Sequence, residues 1–490
     1  MAFNQPRFLK TDTSFLEKVA MGAIGTRRVL ENLEAAGHRP VALDRGSTSY
    51  KLWKAIKIKR LRVPDILCVA SGIRVESRAK SKLEVSMSHS DSDPERGWDF
   101  GLNDGDYVAF PQCERIGEEP VAWRASELVQ YVLVRDLRRA REDGLVLQEK
   151  PKGAEEGFET RLTWPSSVAS SDCTVVEVTD SRVSLRRCTD ERLLSLSLKR
   201  SGVQLRPMVR AGDTVRRGQI VSSVVSPTQQ LPIGRRLDAH DYLLLLTSPS
   251  LSDRYASAKA LCFFEDPGIS GALKALLDEP KEHIYVKLEA AATLMRSGCG
   301  RGAEFLCSTL HGEYLENRLE TVIVLGEVPS EESSRILTEC LLDTDQHPEI
   351  RAGAAWSLGE LRSSRALGAL VQSFKEVEPA IRVEAARALA KVARRHPPLV
   401  LREFPGSSPQ QRPGIAWALA RAGGFSIGEL LPLRIDDDAR HWIAYMLGAQ
   451  PEERFTAEIA NLKQEDPEVH FAVNVLWKIL TSWVTDLEEY

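Results

Sequence analysis

The chain lacks most features that announce a chemistry. Its eight cysteines (Cys68, Cys113, Cys173, Cys188, Cys262, Cys299, Cys307 and Cys340) form no CxxC pair and have no histidine at zinc-ligand spacing. That excludes a ribbon or finger zinc site and points to reduced, mostly buried thiols. No run of about 18 uncharged apolar residues occurs, so no membrane span is expected. The opening MAFNQPRFLKTDTSF has no apolar centre of the secretory kind, so the chain is expected in the cytoplasm. A P-loop, a GxSxG elbow, an HExxH pair and a dinucleotide fingerprint are all missing. What is present is ordinary globular material: 43% hydrophobic and 27% charged residues over 490 positions, enough to fill three or more cores.

The net charge of -4 conceals an asymmetry. Residues 1–90 hold 17 Lys and Arg against 8 Asp and Glu, a balance of +9, so the remainder carries -13. A basic end suits contact with a polyanion, and an acidic remainder implies a separate task. The plain alternative is a solvated basic face.

The C-terminal half repeats itself. Leu261, Leu294, Leu325, Leu358, Leu389, Leu419 and Leu447 recur about every 30 residues, each near the end of a segment of helical periodicity. Small residues (Ala290, Ala291, Ala354, Ala355, Ala385, Ala386) precede the leucines, as needed where helices of adjacent hairpins approach closely. IRAGAAWSLGEL (350–361) and IRVEAARALAKV (381–392) resemble HEAT-like repeats of the short kind found in phycobilin lyases. The resemblance implies a right-handed α-solenoid from about Asp241 onward and a surface for a protein partner. It implies no lyase activity.

Between the two ends, SDCTVVEVTDSRVSLRRC and LLSLSLKRS alternate as strands do. The stretch VRAGDTVRRGQIV, with Gly212, Asp213 and Gly218, resembles the turn of barrel-sandwich hybrid domains. The carrier lysine of biotin and lipoate domains is absent from it. Upstream, Glu119–Asp143 has helical periodicity and an arginine-rich end, and residues 153–157 suggest a linker.

One stretch suggests catalysis. In RVPDILCVASGIRVESRAK (62–80) a strand opening at Asp65 leads through a Ser71-Gly72 turn into a strand carrying Glu76. A helix over about 14–36, ended by Gly37, and a short strand precede it. Alternation puts Arg74, Glu76, Arg78 and Lys80 on one face and Ile73 and Val75 on the other. The order helix, strand, strand, strand with this acid pair resembles the core of PD-(D/E)XK nucleases. The resemblance implies that Asp65 and Glu76 bind Mg2+ (or Mn2+), with Glu34, Glu31 or Asp44 as a third ligand. Metal-bound water would then attack a phosphodiester. Lys80 would assist the water and Arg78 hold the phosphate. The family's usual lysine position is occupied here by Arg78, which does not deprotonate in proteins. A plainer alternative is a charged hairpin in which Glu76 pairs with Arg78 or Arg74. The run around it (Arg45, Lys51, Trp53, Lys54, Lys57, Lys59, Arg60, Arg62, with Tyr50) mixes cations and aromatics, which suits DNA. His89, Asp91, Asp93 and Asp99 could extend such a metal site, although a Ser/Asp/Gly-rich stretch of this kind is more often a polar loop.

The expectation is a multidomain chain: an α/β nuclease-like core (1–118), a helical connector (119–159), a small β barrel-sandwich module (160–235) and an α-solenoid of HEAT-like repeats (241–490). The expected activity is a metal-dependent DNA endonuclease on a repeat scaffold, possible in prokaryotic restriction or anti-phage defence. The alternative is a non-catalytic nucleic-acid-binding adaptor with a degenerate nuclease fold.

Overall fold

A computed structural model describes residues 13–43, 56, 61–150 and 160–480. The chain divides into two compact units, Met1–Asp44 with Leu61–Asp266, and Arg45–Arg60 with Pro267–Tyr490.

The first unit opens with α1 (Thr13–Ala35), which ends as expected in a left-handed Gly37 (φ 85°). Then come β1 (Pro40–Ala42), β2 (Ile66–Cys68), β3 (Arg74–Ser77), β4 (Ser86–His89), β5 (Tyr107–Arg115) and β6 (Trp123–Leu133). Helix α2 (Val134–Glu142) and β7 (Leu147–Glu149) follow. One six-stranded sheet has the order β1-β2-β3-β5-β6-β18, where β18 is Pro227–Thr228; β3 and β5 run parallel and the other pairs antiparallel. Val29 and Leu33 of α1 pack on Ile66, Cys68, Val75, Ala109, Val129 and Tyr131 of this sheet. The Tyr131 hydroxyl donates to Asn32 Oδ1 at 2.8 Å.

The helix expected over Glu119–Asp143 is corrected. Only Val134–Glu142 is helical; Trp123–Leu133 is a strand paired along β5. Val129, Tyr131 and Val132 give the segment β-branched and aromatic bulk, and pairing with a nine-residue neighbour outweighs the weak helical period.

The β-rich segment exists. β10 (Cys173–Val178), β11 (Arg182–Arg187), β12 (Leu193–Ser197) and β16 (Thr214–Val215) form a four-stranded sheet. Beside it β9 (Ser166–Val168), β15 (Arg206–Pro207) and β17 (Ile220–Ser223) form a three-stranded one. Gly212 and Gly218 both have positive φ (91° and 84°), and Asp213 Oδ2 accepts from the Arg210 amide at 2.7 Å, so the turn is built from the residues singled out. The segment shares a core with the preceding chain, since Trp98, Phe110 and Leu137 cluster with Trp164, Val175 and Val221. α3 (Ala239–Leu245) and α4 (Leu251–Ala260) close the unit.

The second unit is helical among its described residues. α5 (Pro267–Asp278), α6 (Ile284–Arg296), α7 (Gly300–Leu310), α8 (Leu315–Leu325), α9 (Glu331–Leu342) and α10 (Pro348–Leu361) alternate in hairpins. They continue as α11 (Leu367–Gln372), α12 (Pro379–Arg395), α13 (Pro397–Glu403), α14 (Arg412–Ala422), α15 (Ile427–Leu430), α16 (Asp437–Gly448), α17 (Ile459–Glu465) and α18 (Pro467–Asn474). Helices α6, α8, α10, α12, α14, α16 and α18 each pack on the next of the series and form one layer. The leucines Leu294, Leu325, Leu358, Leu389, Leu419 and Leu447 are fully buried, each contributing about 1.5–3 kcal/mol. Close approach depends on small residues: a Cβ at Gly359 would stand 2.7 Å from the Ala388 Cα.

Candidate functional site

The strand pairing brings the expected acids together. Ile66 faces Val75 and Leu67 faces Arg74, and continuing that register sets Asp65 opposite Glu76. Asp65 Oδ2 accepts from the Ser77 amide at 2.7 Å. Glu76 Oε1 lies 2.7 Å from Arg78 Nη2, the pairing the plainer alternative foresaw. Beyond β3 the strand continues: the Arg78 and Lys80 amides donate to Ala109 and Pro111 carbonyls. Ala79 faces α1, where a Cβ at Gly25 would meet it at 2.6 Å. Lys80 therefore points to the side of Glu76. Its Nζ donates to the Ser86 carbonyl at 2.5 Å and to Ser86 Oγ at 3.2 Å. Burial, then the Arg161 and Arg78 guanidiniums, pull its pKa down to about 8, against Glu84.

Two expectations fail on geometry. Glu34 and Glu31 are exposed on α1, which packs on the Val75 side of the sheet, whereas Glu76 projects from the opposite side. Among the described residues no group of three His, Cys, Asp or Glu is placed to hold a metal ion. Arg74 is not part of an open basic face either. It is buried, with Nε and Nη2 on the Asp106 carboxylate at 2.8 and 3.0 Å and Nη1 on Ser252 Oγ and Asp253 Oδ1. No local pattern signals this, because Asp106 and Asp253 lie 32 and 179 residues away.

The polar stretch after the hairpin is structural. His89 is buried, receives the Trp98 amide at Nδ1 and faces Asp91 and Arg141 through Nε2; burial lowers its pKa. Asp93 caps a short 3-10 turn and Asp99 holds Arg138 at 2.7 Å. Of the expected nucleic-acid contacts, Arg62 is exposed. Arg45, Tyr50, Lys51, Trp53, Lys54, Lys57, Lys59 and Arg60, like Asp44, lie outside the described residues. A cavity of about 540 Å³ in the first unit is lined by Asn32, Glu127, Arg216 and Gln219 and includes neither acid.

In the second unit a cavity of about 730 Å³ opens between α12 and α14, lined by the apolar Phe374, Val383 and Trp417 and by the charged Lys375, Glu376, Arg382 and Arg387. A feature that sequence reading missed runs through the same helices. Seven residues before each repeat leucine stands a cation: Arg254, Lys287, Arg318, Arg351, Arg382, Arg412 and Arg440. Most donate to a carbonyl just upstream, Lys287 to Leu277 at 2.9 Å, Arg318 to Gly312, Arg351 to Leu341 at 2.9 Å and Arg382 to Glu376 at 2.6 Å. Arg412 and Arg440 instead hold Asp436 and Asp466. The leucine frame was the signal that could have found them.

A family profile of HEAT repeats matches residues 303–390. The C-terminal half carries HEAT repeats. No curated protein matches the chain. Among solved structures, the complex of CpcE and CpcF of phycocyanin lyase from Nostoc sp. PCC7120 is similar at 15% identity, covering 51% of this chain and 99% of that one, with a TM-score of 0.27. A designed armadillo repeat protein in complex with the peptide (KR)4 is similar at 14% identity, over 44% and 99% of the two chains, with a TM-score of 0.22. An engineered protein is similar at 20% identity, over 43% and 95%, also at 0.22. TM-scores this low carry no weight on what the chain does. Among the described residues no helix is long and apolar enough to cross a membrane.

Proposed function

We propose that the chain is a non-catalytic adaptor: a HEAT-repeat scaffold for a protein partner, joined to a unit whose nuclease-like hairpin grips nucleic acid without cutting it. The observation that carries this reading is the state of the β3 polar face. Glu76 is paired with Arg78, Asp65 accepts the Ser77 amide, and Lys80 is held by Ser86. Each group a hydrolytic centre would use is in an internal contact, and no third ligand stands near the two acids among the described residues. The cavity between α12 and α14, lined by Phe374, Val383 and Trp417 together with the cations Lys375, Arg382 and Arg387 and one acid, Glu376, suits an acidic segment of a partner protein with an apolar anchor.

A second reading keeps the metal-dependent DNA endonuclease, because Asp65 stands across from Glu76 with an amine of lowered pKa on the same side. In that reading Asp65 and Glu76 would hold Mg2+ or Mn2+, and Lys80 would hand on a proton.

Incubating the full chain with plasmid and single-stranded DNA in Mg2+ or Mn2+ separates the two. The adaptor reading expects uncut DNA from wild type and from Asp65→Asn, Glu76→Gln and Lys80→Met alike. Cutting that needs metal and vanishes in the three variants would replace it with the nuclease.

A further inference from the structure

The four-stranded sheet of the first unit ends in two different ways. Its order is β12-β11-β10-β16, so β12 and β16 are its edges. β16 is two residues long and is followed at once by Arg216 and Arg217. Short length and charge keep such an edge from recruiting another strand. β12 has neither protection: it reads LLSLS, without a charge, a proline or a bulge against β11.

The ladder fixes which backbone groups lie along that edge. Leu193 stands opposite Arg186 and Ser197 opposite Arg182. In the same register the Arg187 amide donates to the Arg192 carbonyl at 3.0 Å and the Leu198 amide to the Ser181 carbonyl at 2.8 Å. Hydrogen-bonded residues alternate along an antiparallel pair. Leu194 and Leu196 therefore bond to β11, and the amides and carbonyls of Leu193, Ser195 and Ser197 point outward, with no partner among the described residues. Side chains alternate too: Leu194 and Leu196 are half-buried against the core, whereas Leu193 is 63% exposed.

We propose that β12 joins β12 of a second copy of the chain, antiparallel about a two-fold axis at Ser195. The strand is self-complementary in that register. Leu193 stands opposite Ser197 of the other copy and Ser195 opposite Ser195, so each outward amide meets an outward carbonyl. Leu194 and Leu196 meet as the closer, non-hydrogen-bonded pairs, which carries the core across the axis and covers leucines left half-open at the edge. An axis at Leu194 would set Ser197 against Glu191, and one at Leu196 would set Leu193 against Lys199, both beyond the strand. The charges at the two ends agree with Ser195. Glu191 and Lys199 are exposed, and the register sets Glu191 of each copy against Lys199 of the other. Of the remaining charges there, Asp190 is held by Arg187 at 3.0 Å, Arg200 donates to the Ser166 carbonyl, and Arg192 falls opposite Leu198. The pairing is independent of the adaptor reading, and it presents every binding surface of the chain twice.

Sedimentation equilibrium of the full chain tests this. Wild type should show a mass that rises with concentration to that of two chains. Ser195→Pro removes an amide that points outward rather than one bonded to β11, so it keeps the fold while raising the dissociation constant at least tenfold. Ser195→Lys, which sets like charges face to face on the axis, should do the same, and melts of both variants should match that of dilute, single-chain wild type. Glu191→Lys should weaken the pair severalfold, and Glu191→Lys/Lys199→Glu should restore it. Wild type of single-chain mass at every concentration would overturn the proposal and leave β12 to an extended segment of another protein. A pair equally strong in Ser195→Pro and Ser195→Lys would overturn it too, because the copies would then join elsewhere.

Discussion

At the scale of single residues, burial decides what each charge can do. Lys80 is the clearest case. Its folded pKa of about 8 lies below the ordinary 10.5, so between those values the folded chain binds fewer protons than the unfolded one. Stability conferred by this residue therefore rises as pH rises from about 8 to 10.5 and is flat below and above. Urea unfolding of wild type and Lys80→Met across that range should show wild type gaining on the variant; parallel curves would mean an ordinary, solvated amine. Arg74 illustrates the opposite dependence. With the guanidinium gone, Asp106 stays buried without its cation, and burial already pushes its carboxyl above the usual range. Arg74→Ala should cost about 3–5 kcal/mol, and Arg74→Met with Asp106→Asn should recover much of it. Thiols sort the same way. Cys188 is exposed, while burial pushes Cys68 and Cys340 up to about 12 and Cys113 to about 11. A thiol reagent at pH 8 should modify Cys188 in a fast phase that disappears in Cys188→Ser, with the buried thiols reacting only on unfolding.

At the scale of elements, the repeat is held by two devices. One is the cation seven residues before the leucine. Arg351 is buried and donates to Leu341 O while pairing with Glu376, so Arg351→Ala should cost about 1.5–3 kcal/mol for the charge-assisted bond. The other is the close approach at Gly359. A methyl there meets Ala388 backbone rather than a side chain that can turn aside, so Gly359→Ala should cost about 1–3 kcal/mol. Thermal melts of both variants read these losses; no change in Gly359→Ala would mean that α10 and α12 can separate freely. The N-terminal helix, its glycine stop and the hairpin through Gly72 were legible because each depends on residues close in sequence. Trp123–Leu133 was misread because an eleven-residue segment can satisfy a helical period and a strand period loosely, and its neighbour β5 settled the matter.

At the scale of the whole molecule, the chain joins a sheet-based unit to a stack of helical hairpins with a basic start and an acidic remainder. The adaptor reading assigns the repeats to a partner and the hairpin to recognition. It expects the protein to bind without turnover. If the partner's acidic segment docks between α12 and α14, replacing Val383 with Asp should weaken that binding at least tenfold while leaving the melt unchanged, because Val383 is exposed.

The sequence alone determined the period of the repeats, the pairing of Asp65 with Glu76 across a hairpin and the turn at Gly212 and Gly218. All of these are local or periodic, and the backbone must obey them wherever the rest of the chain goes. Only the tertiary structure decided that Arg74 is buried on Asp106 and Asp253 and that α1 lies on the side of the sheet away from Glu76. Those facts join residues tens to hundreds of positions apart. Side-chain charge says what a residue can bind, and packing says which partner it meets.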